Sequence, residues 1–404
     1  MLVAWQDTGS TGYEFCGNAF TYAAIGSTQS GFADVGAVSA AGTVSYPTDV
    51  SLDGAGDGWI VGVHQVPRVE KYGYTYKNVG TWFAFRPAGG SFRAPVELPI
   101  KGPTEQSSAF VAGNQAGRTV LAWSTERGTY LAWGTPTGGI SAPTFFGRGF
   151  QVSGLGVDES GRALIVGYYR GRLGATSTEI AAVTAGVSGV FSRPHALAVR
   201  QRDQRRHLVG FLSLPVVGIG PLGNAVIGWG TSWLSQRAEY PNPGPSLLLY
   251  RQADGHFDRA IRLPKVNLES AAAASVDGAG RGIIVLVTEQ GLREISVAPG
   301  GRTGPEHHLQ GSLSPSVASN ALGQTVIAWR YGPSPIDIVL GNTRGINGPL
   351  QTIVTPNNEI LATIDAHGVA TVLWIPEGAS VLDARAITPG AQTVEVASSE
   401  PSTS

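Results

Sequence analysis

A four-residue turn recurs along this 404-residue chain and constrains its fold more than any other feature. Asp or Asn stands three residues ahead of Gly at Asp53/Gly56, Asn114/Gly117, Asp158/Gly161, Asp277/Gly280, Asn320/Gly323 and Asp365/Gly368, and Gly220/Gly223 fills the same slot. Asp and Asn side chains bond their own backbone two residues on, and Gly accepts the positive φ that other residues resist. With Val- and Ile-rich runs on either side, each copy reads as a hairpin loop with a bulge at Gly. The run after the turn ends small-then-Trp at Trp123, Trp229, Trp329 and Trp374, and Tyr168 takes that place once.

A second set of turns follows each third run, as at Pro87 to Gly90, Pro136 to Gly139, Asp254-Gly255, Pro299 to Gly301 and Pro389-Gly390. A fourth short run comes after it, of the type Phe92 to Leu98, Phe191 to Leu197 or Phe257 to Leu263. Four strands per unit, at a period of roughly 40 to 60 residues, define the blade of a β-propeller. The expected fold is all-β: a single propeller of four-stranded antiparallel blades over residues 1–396, with a Ser-rich disordered tail over 397–404. Eight repeats are expected, the alternative being a seven-bladed ring.

Met1 is followed by Leu2-Val3-Ala4-Trp5, which matches Val120-Leu121-Ala122-Trp123 and Val326-Ile327-Ala328-Trp329. The chain thus opens on the second strand of a blade, and its first blade lacks the inner strand. In-frame upstream DNA is expected to encode that strand and its turn, behind a signal peptide. Inner strands elsewhere are rich in small residues, as at Ala112-Gly113 and Ala271 to Ser275, which suits the narrow channel where blades converge. The Trp residues are expected in the packing between blades rather than at a ligand.

Composition narrows the function classes. Charged residues are 14% and the net charge is −1, which argues against nucleic acid or an anionic membrane as partner. No apolar run approaches the ~18 residues of a membrane span. Cys16 is alone, so no intrachain disulfide forms. The string Gly218 to Gly223 matches G-x-G-x-x-G, but a strand and not a helix follows it, so it is a blade turn and not a dinucleotide site. His64, His195, His207, His256, His307, His308 and His367 have no zinc spacing, and neither a G-x-S-x-G elbow nor an EF-hand pattern is present. Neither a metal nor a cofactor is expected.

The first-to-second and third-to-fourth turns are short, whereas the second-to-third and fourth-to-first connections are long, notably His64 to Val79 and Gly230 to Ser246. The two long classes emerge on one face of a propeller, and variable loops on a rigid scaffold are where binding resides. That face carries Tyr72, Tyr74 and Tyr76, which alternation puts on one side of an extended segment. Such a row suits stacking on a sugar or peptide, or else packs on its neighbour. It also carries Trp233, Arg237 and Tyr240, and a cluster including Arg202 and Arg205 that reads first as a solvated loop and only second as a binding patch.

The turn-and-run pattern resembles the bacterial β-propeller repeats of the NHL and YVTN kind, and is most similar to uncharacterised secreted propellers. The specific NHL Asp at the end of the second strand is missing, as is the sialidase Asp-box, which Ser51-Leu52-Asp53 begins but does not continue. The resemblance implies the fold over almost the whole chain, and an extracellular or periplasmic setting. The expected function is non-enzymatic: a monomeric binding or scaffold propeller whose long-loop face takes a glycan or a protein partner. The alternatives are a glycoside hydrolase or lyase, with carboxylates such as Glu70, Glu239 and Glu289 across the central mouth, or a purely structural ring.

Overall fold

The structure is a computed structural model. It describes every residue except 8–19, 28–30, 39–43, 71–72, 100–107, 126, 148, 171–176, 200–207, 213, 236–241, 244–245, 264–272, 289–290, 312, 331–334, 355–356, 377–382, 389–393 and 397–404. The described chain forms eight antiparallel sheets and contains no helix. Seven of the sheets contain a full four-stranded blade whose strands pair in chain order from the inner to the outer edge. The inner strands are Val44–Leu52, Ala109–Gly113, Phe150–Val157, Val216–Ile219, Ala273–Val276, Leu313–Ser319 and Asn357–Ile364. Blade one comprises Leu2–Asp7, Phe20–Ser27 and Gly31–Ala37, the counterparts of the second, third and outer strands.

The ring closes. Each neighbouring pair of blades shares one apolar core, and a cluster of Val3, Ala24, Leu373 and Ala384 joins blade one to blade eight. The second strands supply the bulk of these cores. Trp123, Trp229 and Trp329 stand at 1% exposure and Trp374 at 7%, so the recurring Trp is a blade-to-blade packing residue.

The recurring turn does two jobs. Within a blade, Asp277 Oδ1 accepts from the Ala279 and Arg281 amides at 2.8 Å, and Asp53, Asn320 and Asp365 do the same in their own turns. The closing glycines stand at φ between +76° and +93°, as the motif requires. Between blades, the residue after Asp donates its amide to the same position one blade on: Gly54 to the Gln115 carbonyl, Glu159 to Pro221 and Gly278 to Ala321. Where Asn replaces Asp, its side-chain amide makes the link, from Asn114 to the Asp158 carbonyl and from Asn320 to the Asp365 carbonyl, both at 2.8 Å. At the Gly220 turn, Asn224 donates to the Tyr250 hydroxyl, which donates to the Gly280 carbonyl.

The small residues of the inner strands reflect crowding where the blades converge, as expected. A Cβ on Gly154 would lie 2.9 Å from Val217, and one on Gly218 would lie 2.8 Å from the Ala274 backbone. The crowding comes from the next inner strand. Polar side chains bridge the same gap: Thr48 donates to the Ala109 carbonyl, and Asp49 and Ser51 accept from the Val111 and Gly113 amides.

Two further expectations need correction. The segment His64 to Val79 is not a loop, because the second and third strands of blade two (Gly58–Glu70 and Gly73–Arg86) stay paired out to Glu70 opposite Gly73. The outer strands are shorter than expected: Val96–Glu97, His195–Val199 and Ile261–Arg262, with Phe191 and Phe257 making single bridges ahead of them.

Candidate functional site

The two faces of the ring are built differently. The turn face is an interlocked belt, reinforced by arginines that reach the turns. Arg281 Nε meets Asp277 Oδ2 at 2.8 Å, and Arg162 Nε meets Asp158 Oδ2 at 2.7 Å. Burial alone would raise the Asp158 carboxyl, but hydrogen bonds from Ser160 and Arg162 and the Arg162 charge hold it below the ordinary carboxylate range. Arg118 lies over the Trp133 ring at 4.2 Å, and the indole donates to the Gly189 carbonyl at 2.7 Å.

The opposite face carries two β-elaborations. One is the blade-two hairpin, whose strands run 13 and 14 residues against 7 and 6 in blade three. The backbone of Tyr74 pairs with Val69, and that of Tyr76 with Pro67, so both lie in this hairpin near its tip. The other is a side sheet in which Leu208–Leu212, Thr231–Ser235 and Asn242–Pro243 pair in that order. It joins blade four through Ser177 opposite Leu212. The connection between blades four and five thus pairs with the second-to-third connection of blade five, and Trp233 takes the middle position, flanked by Gly210 and Asn242.

Of the expected site residues, Tyr74, Tyr76 and Trp233 therefore stand on these two elaborations. Tyr72, Arg237, Tyr240, Arg202 and Arg205 lie outside the described residues, as do Glu239 and Glu289. Glu70 pairs with Gly73 at the hairpin tip.

Three features were missed at the sequence level. The first is a cup of about 320 Å³ in the channel mouth on the turn face, walled by the inner strands of blades three to five. Gln115, Glu159 and Pro221 line it, each immediately after the Asn, Asp or Gly that opens its turn. That turn position was the available signal. The second is Asp49, whose carboxyl is enclosed between blades two and three. Burial pushes it up to about 7, against the pull of the Val111 and Val50 amides it accepts. The third is Glu294, at 0% exposure in the third strand of blade six, which holds His307 Nδ1 at 2.6 Å from across the strand pair. Burial raises its carboxyl, and the His307 bond and charge oppose that. Among the described residues no group of three or more His, Cys, Asp or Glu is placed to hold a metal.

No family model matches the chain, and no curated protein matches it. Among solved structures it is similar to a puromycin hydrolase variant, at TM-score 0.51 and 16% identity over 88% of this chain and 54% of that one. It is also similar to the Dos1 propeller, at TM-score 0.49 and 9% identity over 81% and 88% of the two chains. A third is a catalytically inactive virginiamycin B lyase from Staphylococcus aureus with quinupristin, at TM-score 0.48 and 11% identity over 83% and 92%. At such identities the likeness concerns the fold alone. The chain is a β-propeller, as its eight sheets and closed ring of cores define it.

Proposed function

We propose that this chain is a non-enzymatic binding or scaffold propeller that takes a glycan or a protein partner on the face opposite the turn belt. One observation carries the reading. Both β-elaborations, the blade-two hairpin and the side sheet at blades four and five, stand on that face, and between them they hold Tyr74, Tyr76 and Trp233. Among the described residues, the blade-to-blade cores draw on neither elaboration. Rigid paired strands bearing aromatic residues are an economical way to present stacking surface, because little conformational entropy is lost on binding. An extracytoplasmic setting and NHL- or YVTN-like ancestry of the repeats belong to the same proposal.

The test is a broad glycan array, probed with the wild-type chain and with Tyr74→Ala and Trp233→Ala. The expected outcome is binding to a restricted glycan set that drops about tenfold or more in at least one variant, as loss of an aromatic stacking contact implies. Binding unchanged in both variants would place the site elsewhere. A folded protein that binds no glycan would leave the protein-partner arm, to be tested by cross-linking from the same positions.

A further inference from the structure

The blade-two hairpin projects past the rest of its own sheet. The inner strand pairs with it only as far as Val44 opposite Gln65, and the outer strand meets it at Trp82 and Phe83. Beyond those points, among the described residues, the two hairpin strands pair only with each other, from Val66 opposite Lys77 to Glu70 opposite Gly73. The projection therefore has two open strand edges, and an open edge accepts a further strand unless something blocks it.

Pro67 blocks one of them. It stands inside Gly58–Glu70, opposite Tyr76. Proline has no N–H, so within a strand it sits where its backbone faces away from the partner. Antiparallel pairs alternate between bonded and non-bonded, so Val69 opposite Tyr74 shares the phase of Pro67 opposite Tyr76. The hairpin end agrees, because Glu70 and Gly73 flank a two-residue loop and such loops close on a bonded pair. The outward groups are those of Pro67 and Val69 on one edge and of Tyr74 and Tyr76 on the other. The first edge lacks a donor at Pro67. The second keeps every N–H and C=O over residues 73–78, up to the irregularity where the register passes over Val79. Charge is uneven here as well. Residues 66–79 carry Arg68, Lys71 and Lys77 against one carboxylate, Glu70.

We propose that the edge formed by residues 73–78 takes an extended acidic segment of a partner protein as an added strand, bonded to the N–H and C=O groups of Tyr74 and Tyr76. The inference rests on the reading of this face as the binding face, and it specifies the partner. Main-chain bonds hold the segment, and its Asp and Glu residues match the basic positions of the hairpin. The same positive charge turns away basic strands.

The experiment is an array of random ten-residue peptides, probed with the full chain as wild type, Tyr76→Ala and Tyr76→Pro. Tyr76→Ala removes the ring and keeps the amide. Tyr76→Pro removes the outward amide and spares the hairpin ladder, because Pro67 already stands opposite in the same phase. The wild type is expected to bind peptides rich in Asp, Glu and β-branched residues. Tyr76→Ala should weaken them about threefold at most, and Tyr76→Pro about tenfold or more, as loss of a main-chain bond in the middle of an added strand implies. Hydrogen exchange gives a second readout in the wild type alone: the Tyr74 and Tyr76 amides should exchange fast in the free chain and slow when a selected peptide binds. Equal losses in Tyr76→Ala and Tyr76→Pro would overturn the added strand and leave an aromatic stacking surface, so the binding face itself would survive. Undiminished binding in Tyr76→Pro, amides already protected in the free chain, or binding of no peptide by the folded chain would each overturn the proposal, and would leave the glycan test above as it stands.

Discussion

At the scale of single residues, two enclosed carboxyls give opposite pH dependences. Asp158 is held below its unfolded value, so the folded state retains its charge more readily than the unfolded one. Its contribution is present at neutral pH and is lost as pH falls through the folded value, below the ordinary 3.8. Asp49 is raised to about 7, so between 3.8 and about 7 the folded state binds the extra proton. Its contribution is greatest at acid pH and declines as pH rises through that window. Melting temperatures of wild type and Asp49→Asn across pH 4 to 8 should show this: the wild type loses stability relative to the variant as pH rises, then the difference levels off. A constant difference across the range would mean that Asp49 titrates at its ordinary value.

At the scale of the element, the turn glycines separate backbone strain from blade packing. Gly300 and Gly223 have nearly the same φ, +81° and +83°. A Cβ on Gly300 meets nothing within 4 Å, whereas one on Gly223 meets Asp158 Oδ2 of the preceding blade at 2.7 Å. Gly300→Ala should therefore cost about 1 kcal/mol, the left-handed penalty alone. Gly223→Ala should cost roughly 2 to 4 kcal/mol, since it also displaces a carboxylate that holds Arg162. Denaturant titration of the two variants decides the point, and equal losses would show that the belt yields freely. Asp277→Ala belongs with these. It strips an acceptor from two backbone amides, Arg281 and the Thr343 hydroxyl of the next blade, so a loss of about 3 kcal/mol is expected.

At the scale of the whole molecule, closure makes the ring differ from an open repeat array. In an open stack each unit touches only its neighbours, and the ends fray independently. Here Leu373, at 1% exposure, packs with Val3 from the other end of the chain. Leu373→Ala should cost roughly 2 to 4 kcal/mol. It should also lower the whole unfolding transition rather than split off a minor one, as calorimetry would show. An early separate transition confined to blades one and eight would mean that the seam adds no cooperativity to the remaining blades.

Much of this architecture was legible in the chain alone. Asp/Asn-x-x-Gly is a local signal, satisfied within five residues as at Asp277 to Arg281, and its six copies mark six of the eight blades. The match of Leu2 to Trp5 with later second strands placed blade one without reference to anything outside the sequence. What tertiary structure decided was everything that depends on the next blade. Gly154 is small because of Val217, 63 positions on, and the carboxyl of Asp49 is enclosed because of Val111, 62 positions on. The pairing of Leu208–Leu212 with Thr231–Ser235, and the meeting of Gln115 with Glu159 at one mouth, likewise have no local signature. Turn chemistry acts through neighbouring backbone atoms and is written in the order of residues. Burial, pKa and the shape of a cup arise from side chains that only closure of the ring brings together.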